Sequence, residues 1–169
     1  ETWASPIWDA CAGRGGKSTA LLENKVSLSL ASDLSYKRLL GLKSELKRLD
    51  LKLPVAQMSA SNPALKGQNV HTILIDAPCS GLGTLSRHPD IAMHRTPADL
   101  DKLVATQSKI LNACATLLPA QGELIYLTCT LNPAENEEQI QTLLKTRPEL
   151  SLEFVWQSPE HSEWKEFFW

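Results

Sequence analysis

The feature that most constrains this chain is a repeated alternation: a short apolar run, a polar residue closing it, then a stretch with helical periodicity. Parallel strands cannot be joined by a tight turn, so this alternation specifies a parallel sheet with crossover helices. Pro6–Asp9 predicts the end of a first strand, and Ser18–Glu23 the start of a helix. Val26, Leu28 and Leu30 alternate with Ser27, Ser29 and Ala31, predicting a second strand that ends at Asp33. Leu39, Leu42, Leu46 and Leu49 make one apolar stripe, so Tyr36–Leu49 reads as an amphipathic helix. Leu53–Gln57 and His71–Asp76 read as third and fourth strands, the latter buried on both faces because Ile73-Leu74-Ile75 is uninterrupted. Thr96-Pro97-Ala98-Asp99 offers a cap residue, a proline and an acid, predicting a helix that reaches about Leu118. Leu124–Thr128 predicts a fifth strand, and Asn132-Pro133-Ala134-Glu135 repeats the capping pattern before a helix ending near Thr146. Leu152–Trp156 and Glu166–Trp169 read as late strands. The fold class is therefore α/β, a mostly parallel sheet flanked by helices.

Composition narrows the function. A chain of 169 residues suits one domain, and 43% hydrophobic with 21% charged residues is ordinary for a globular protein. No apolar run approaches the roughly 18 residues of a membrane helix. Glu1-Thr2-Trp3 has neither an initiator Met nor a signal core, so residues 1–169 are expected to be one domain cut from a longer chain. That chain would add an N-terminal region and the end of the last strand. Cys11, Cys79, Cys114 and Cys129 form no Cys-x-x-Cys pair and have no close His, so neither a metal site nor a disulfide framework is expected. Reduced thiols in a cytoplasmic protein, a monomer, are the expectation.

In open parallel sheets, ligands bind beyond the carboxyl ends of the strands. Four polar clusters fall there: Asp9–Lys17, Asp33, Asp76–Gly81 and Thr128–Thr130. The first holds a glycine-rich turn between strand and helix, which lets a ligand approach the backbone; a plain tight turn has the same appearance. A phosphate loop fails because Ala12 stands where GxxxxGK[ST] needs glycine. Asp33, about 20 residues past the turn, stands where an acid takes ribose hydroxyls, or where it could cap the following helix. Together the two imply an adenosine-containing cofactor without choosing between NAD and S-adenosylmethionine. Asp76-Ala77-Pro78-Cys79-Ser80-Gly81 and Thr128-Cys129-Thr130 then place two thiols at adjacent strand ends. Cys114, on the apolar face of its helix with Ile110 and Leu117, is expected to be inert packing.

These segments resemble the RNA (cytosine-5) methyltransferases of the Sun/NOP type over nearly the whole chain. Cys11-Ala12-Gly13-Arg14-Gly15-Gly16-Lys17 resembles that family's Cys-Ala-Ala-Pro-Gly-Gly-Lys cofactor loop. Asp76–Gly81 resembles its Asp-x-Pro-Cys-Ser-Gly loop, followed by Arg87-His88-Pro89-Asp90, and Thr128-Cys129-Thr130 with Pro133, Glu135, Asn136 and Glu138 resembles its Thr-Cys-Ser segment. Arg14 departs from the family's Pro, Gly13 from its Ala, and Ser59 from an Asp that contacts the adenine side of the cofactor.

The resemblance implies a Rossmann-like methyltransferase sheet, S-adenosylmethionine as cofactor, and methylation of carbon five of a cytosine in RNA, ribosomal RNA first. Cofactor contacts fall to Cys11, Ala12, Gly13, Arg14, Gly15, Gly16, Lys17, Asp33, Ser59 and Asp76. Cys129 is the implied nucleophile, Cys79 assists product release, and Asp76 holds the base edge. Arg87, His88 and Arg95 follow the catalytic loop and are the expected RNA contacts, ahead of Lys37, Lys47 and Arg48 on an ordinary helix face. A net charge of -2, with eight Glu against three basic residues over 132–169, is poor for a stand-alone nucleic-acid binder. The alternatives are tRNA as substrate, or a paralogue that binds RNA or cofactor without turnover. An exocyclic-amine methyltransferase would put Pro-Pro-aromatic after the acid, against Pro78-Cys79. A DNA cytosine methyltransferase would need a target-recognition region for which there is no room.

Overall fold

A computed structural model describes residues 4–65 and 70–155. Five strands form one sheet: β1 (Ile7–Asp9), β2 (Leu28–Asp33), β3 (Val55–Gln57), β4 (Thr72–Asp76) and β5 (Glu123–Leu127). Their order is β3-β2-β1-β4-β5, and every pairing is parallel. Helices α1 (Gly16–Glu23), α2 (Tyr36–Arg48), and α3 (Ile91–His94) with α4 (Pro97–Ala115) lie in the β1–β2, β2–β3 and β4–β5 crossovers, and α5 (Glu137–Thr146) follows β5. The chain reverses its direction of travel across the sheet between β1 and β4, where such folds open a crevice for a ligand.

Period-two alternation sends neighbouring strand residues to opposite faces, and two cores result. On one face Trp8, Ile73 and Ile75 pack with Ile110, Leu111 and Cys114 of α4 and Leu143 of α5. On the other, Ala31 packs with Leu39, Leu42 and Leu46, the stripe of α2. Both faces are covered, which is why β4 reads as an unbroken apolar run.

Differences from the sequence expectations have local causes. Helix α4 ends at Ala115 rather than near Leu118, because Leu118 precedes Pro119 and a residue before proline is pushed out of the helical region. Its start is as expected: Thr96 and Asp99 form a reciprocal capping box. The last helix does not begin at Asn132. A 3-10 turn, Pro133–Glu135, comes first, and Asn136 (φ -119°, ψ -100°) breaks the path before α5. Residues 152–155 are exposed and irregular rather than a strand, and the segment expected at 166–169 lies outside the described residues. The 3-10 turn Leu82–Thr84 and the four-residue helix α3 were not anticipated. Among the described residues no helix is long and apolar enough to cross a membrane.

Candidate active site

The carboxyl ends of β1, β2, β4 and β5 bring the four clusters together. After β1 the chain is pinned to both neighbouring strands: Ala10 N donates to Leu74 O and Ala12 N to Ser32 O, each at 2.9 Å. The turn then needs glycine at residue 15. Gly15 has φ 93°, and a Cβ there would stand 2.3 Å from Leu42 Cδ1 of α2. The opposite side of the turn is open, since a Cβ added at Gly13 or Gly16 meets no atom within 4 Å. Arg14, in place of the family's proline, lays its stem over Gly41 of α2.

Asp33 closes β2 and is buried. Its Oδ2 accepts from Gly13 N at 2.9 Å and its Oδ1 from Ser35 N at 2.7 Å, so it holds the glycine turn and the start of α2 at once. Each carboxylate oxygen has a second lone-pair direction, which is what a ribose diol would use. Met58 N donates to Asp33 O at 3.2 Å and so brings the following Ser59 beside this acid; the Ser59 hydroxyl is 2.9 Å from that of Ser61.

Asp9 lies beneath the turn. It is 1% exposed; Ser18 Oγ donates to one oxygen at 2.5 Å and the other oxygen has no partner. Burial pushes this carboxyl up to about 6, against the opposing pull of its bonds from Ser18 and the Cys11 amide. Cys11 is half-buried, and desolvation raises its thiol far above the ordinary range. Lys17 pairs its ammonium with Asp76 Oδ2 at 2.7 Å, across the crevice between α1 and β4, so two of the expected cofactor residues meet there.

Cys79 and Cys129 meet beyond β4 and β5. Their sulfurs are 3.2 Å apart, and Cys129 N donates to Cys79 Sγ at 3.3 Å. Hydrogen bonding to Cys129 lowers Cys79 to about 7, whereas Cys129, although the residue is exposed, is raised far above the ordinary thiol range by its bond to Cys79, by desolvation of its sulfur and by the Cys79 charge. The two titrate as a pair, and the Cys129 amide, which donates to Cys79 Sγ, favours a thiolate on that sulfur. Cys114 is fully buried, its thiol pushed up to about 12 by desolvation, and it packs in the core as expected.

Sequence reading missed Glu135. Asn132 does cap Ala134 N (3.2 Å), but Glu135 turns inward, is 0% exposed, and accepts hydrogen bonds from Ser80, Gln107, Thr130 and Asn132. Burial alone would raise its carboxyl; the bonds from Ser80, Gln107 and Thr130 outweigh burial and hold it below the usual range. The sequence marked Glu135 only as part of a capping pattern and of the segment that follows Thr128-Cys129-Thr130, with no role attached to it. Arg87 and His88 are exposed after the 3-10 turn Leu82–Thr84, and Met93 on α3 is 84% exposed. Arg95 donates from Nε to Ser80 O at 3.2 Å, which brings it against the Pro-Cys loop.

A family model described as 16S rRNA methyltransferase RsmB/F matches residues 2–167. The chain is 41% identical over 150 residues to ribosomal RNA small subunit methyltransferase B of Shewanella oneidensis, covering 87% of this chain and 35% of that protein. Against the protein of the same name from Escherichia coli the identity is 39% over 159 residues, covering 89% and 37%. The chain thus spans about a third of the length of these relatives. Among solved structures, PH0851 superposes with a TM-score of 0.78 at 26% identity, over 94% of this chain and 37% of that one. NSun6 from Pyrococcus horikoshii gives 0.69 at 33% identity, over 83% and 37%.

Proposed function

The chain belongs to the 16S rRNA methyltransferase RsmB/F family, and from that premise we propose that residues 1–169 form the catalytic domain of an S-adenosylmethionine-dependent RNA (cytosine-5) methyltransferase. Small-subunit ribosomal RNA in the cytoplasm is the proposed substrate. The observation that carries the reading is the pair of thiols 3.2 Å apart at adjacent strand ends, across the crevice from a glycine turn and a ribose-competent acid.

The residues present fit the cofactor. The open side of the turn at Gly13 and Gly16 leaves room for a ligand against the backbone, and Asp33 keeps one lone-pair direction on each oxygen. Cys11 to Lys17, Asp33 and Ser59 would hold the adenosine end, and Asp76 would face the reacting end. Bound there, S-adenosylmethionine supplies an electrophilic methyl group.

Carbon five of cytosine is a weak nucleophile, so the protein must first push electrons into the ring. Cys79 Sγ, 3.2 Å from Cys129 Sγ and receiving the Cys129 amide, takes the proton of Cys129 when it is ionised. The Cys129 thiolate then forms a sulfur–carbon bond at carbon six, and the displaced electron pair makes carbon five nucleophilic. Asp76, held by Lys17 at 2.7 Å, keeps Oδ1 for the base edge. Cys79, protonated by the first step, stands beside the sulfur–carbon bond for product release. The base must leave any stack to reach both reagents, so an unpaired or flipped cytosine is the form bound. Arg87, His88 and Arg95 border this entrance and would contact the RNA.

The test is a denaturing gel of full-length variants with target RNA. Cys129→Ala should abolish methylation and any adduct, whereas Cys79→Ala should accumulate the adduct. One observation favours a second reading, that Cys79 is the nucleophile: the Cys129 amide donates to Cys79 Sγ at 3.3 Å and so favours a thiolate there. An adduct accumulated by Cys129→Ala would establish that reading. No adduct from any variant and no methyl transfer by the wild type would leave the non-catalytic reading.

A further inference from the structure

We propose that Glu135 is the positioning residue that sets the reacting geometry of the two cysteines, by fastening the residue after each of them to one buried carboxylate. The inference rests on the reading that both thiols serve methyl transfer. The ladder joining β4 to β5 continues only to Ala77 N–Leu127 O, at 2.9 Å, after which both loops leave the sheet. Gly83 N to Cys129 O (3.0 Å) is one link beyond that point. The sulfur pair with the Cys129 amide, and the Ser80–Thr130 hydroxyl pair, are others, and the remaining links converge on Glu135. Its Oε1 accepts from Ser80 N at 2.8 Å and Gln107 Nε2 at 3.0 Å. Its Oε2 accepts from Ser80 Oγ at 2.6 Å, Thr130 Oγ1 at 3.2 Å and Asn132 Nδ2 at 3.4 Å.

Ser80 follows Cys79 and Thr130 follows Cys129, and these two residues supply three of the five donors. A brace for α5 alone would draw its donors from α4 and α5. Instead Gln107 of α4 also donates to Pro78 O at 2.9 Å, gripping the residue before Cys79. The Ser80 and Thr130 hydroxyls stand 2.8 Å apart on the same carboxylate. Only an acceptor with about four lone-pair directions can take an amide N–H, a carboxamide and two hydroxyls together. Glutamine at this position would turn an NH₂ toward one set of donors.

A readout on the thiols separates positioning from charge. The pair is also influenced by Asp76, Lys17 and Tyr126. Removing the negative charge of Glu135 by itself would lower the Cys79 midpoint, since that charge opposes the thiolate. Letting the loops part would take the Cys129 S–H and N–H away from Cys79 and raise the midpoint from about 7 toward the ordinary thiol value. The two causes have opposite signs.

The experiment follows alkylation of Cys79 by iodoacetamide across pH, read by mass spectrometry, in the full-length protein. Wild type, Glu135→Gln and Thr130→Val are compared; both changes conserve volume, and Thr130→Val leaves the Glu135 charge in place. The midpoint should rise by about one unit in both, and kcat for RNA methylation should fall about 100-fold with KM for RNA unchanged. Midpoints that fall or stay put in both variants would overturn the proposal. Raised midpoints in a protein whose wild type transfers no methyl group would uphold the hold of Glu135 on the thiols and overturn the methyl-transfer reading instead.

Discussion

Asp9 and Glu135 are both buried carboxylates at the carboxyl edge of the sheet, one under the glycine turn and one behind the cysteine loops, and their protonation differs in sign. Asp9 has one hydroxyl donor and an unpartnered oxygen, and burial wins. Glu135 has five donors, and the bonds win. Burial sets the penalty on a charge; the number of donors aimed at it decides whether the charge survives. The two halves are built accordingly. The glycine half is shaped by backbone, with Gly15 packed against Leu42 and Asp33 accepting amides. The cysteine half is shaped by side chains meeting on one carboxylate.

The sharpest way to break the contrast is to truncate both acids. Glu135→Ala leaves several buried donors without an acceptor and should cost about 3–5 kcal/mol in urea unfolding, whereas Asp9→Ala strands only the Ser18 hydroxyl and the Cys11 amide and should cost about 1–2 kcal/mol. Equal losses would show that donor number does not distinguish the sites.

The second comparison is pH dependence. The folded-state pKa of Asp9 is raised from 3.8 to about 6, so between those values the folded protein binds more protons than the unfolded chain, and stability falls as pH rises. Glu135, held below its ordinary 4.5, acts in the opposite sense: its contribution is present above that value and is lost as pH falls through the lowered one. Asp9→Asn should therefore gain stability relative to wild type by about 3 kcal/mol on going from pH 4 to pH 7. Parallel melting curves for the two proteins over that range would refute the raised pKa.

A smaller effect tests the glycine half for ligand binding. Asp33→Ala should weaken S-adenosylmethionine binding by about 1.5–3 kcal/mol in calorimetry, the worth of hydrogen bonds to a charged group. Unchanged affinity would make Asp33 a fastener of the turn alone.

The smallest effect compares the halves as RNA surfaces. Neutralising Arg95, which bonds the Pro-Cys loop, should reduce the slope of log affinity against log salt by about 0.7, and Lys47→Ala on α2 should leave it unchanged. The reverse result would put the RNA across α2.

Much of this molecule was legible locally. Period-two alternation marked β2, an unbroken apolar run marked β4, the leucine stripe marked α2, and Thr96 with Asp99 marked the start of α4, because strand faces, helix faces and caps are encoded within a few residues. One misreading has a tertiary cause. Asn132–Glu135 has the spacing of a helix cap, but Glu135 is partnered by Ser80, Gln107 and Thr130, and the helix starts later. The pairing of Lys17 with a carboxylate 59 residues away was likewise invisible in its own loop.

The sequence by itself determined the order of strands and helices, the placing of polar clusters at strand ends, and the presence there of Gly15, Asp33, Asp76, Cys79 and Cys129. It did so because backbone periodicity and turn chemistry are short-range. Only the tertiary structure decided that two sulfurs 50 residues apart stand 3.2 Å from each other, that the Cys129 amide points at Cys79 Sγ, and that Glu135 ties both loops. Those facts depend on how far each loop extends past the sheet and on which donors reach a given acceptor first. No spacing along the chain records either quantity.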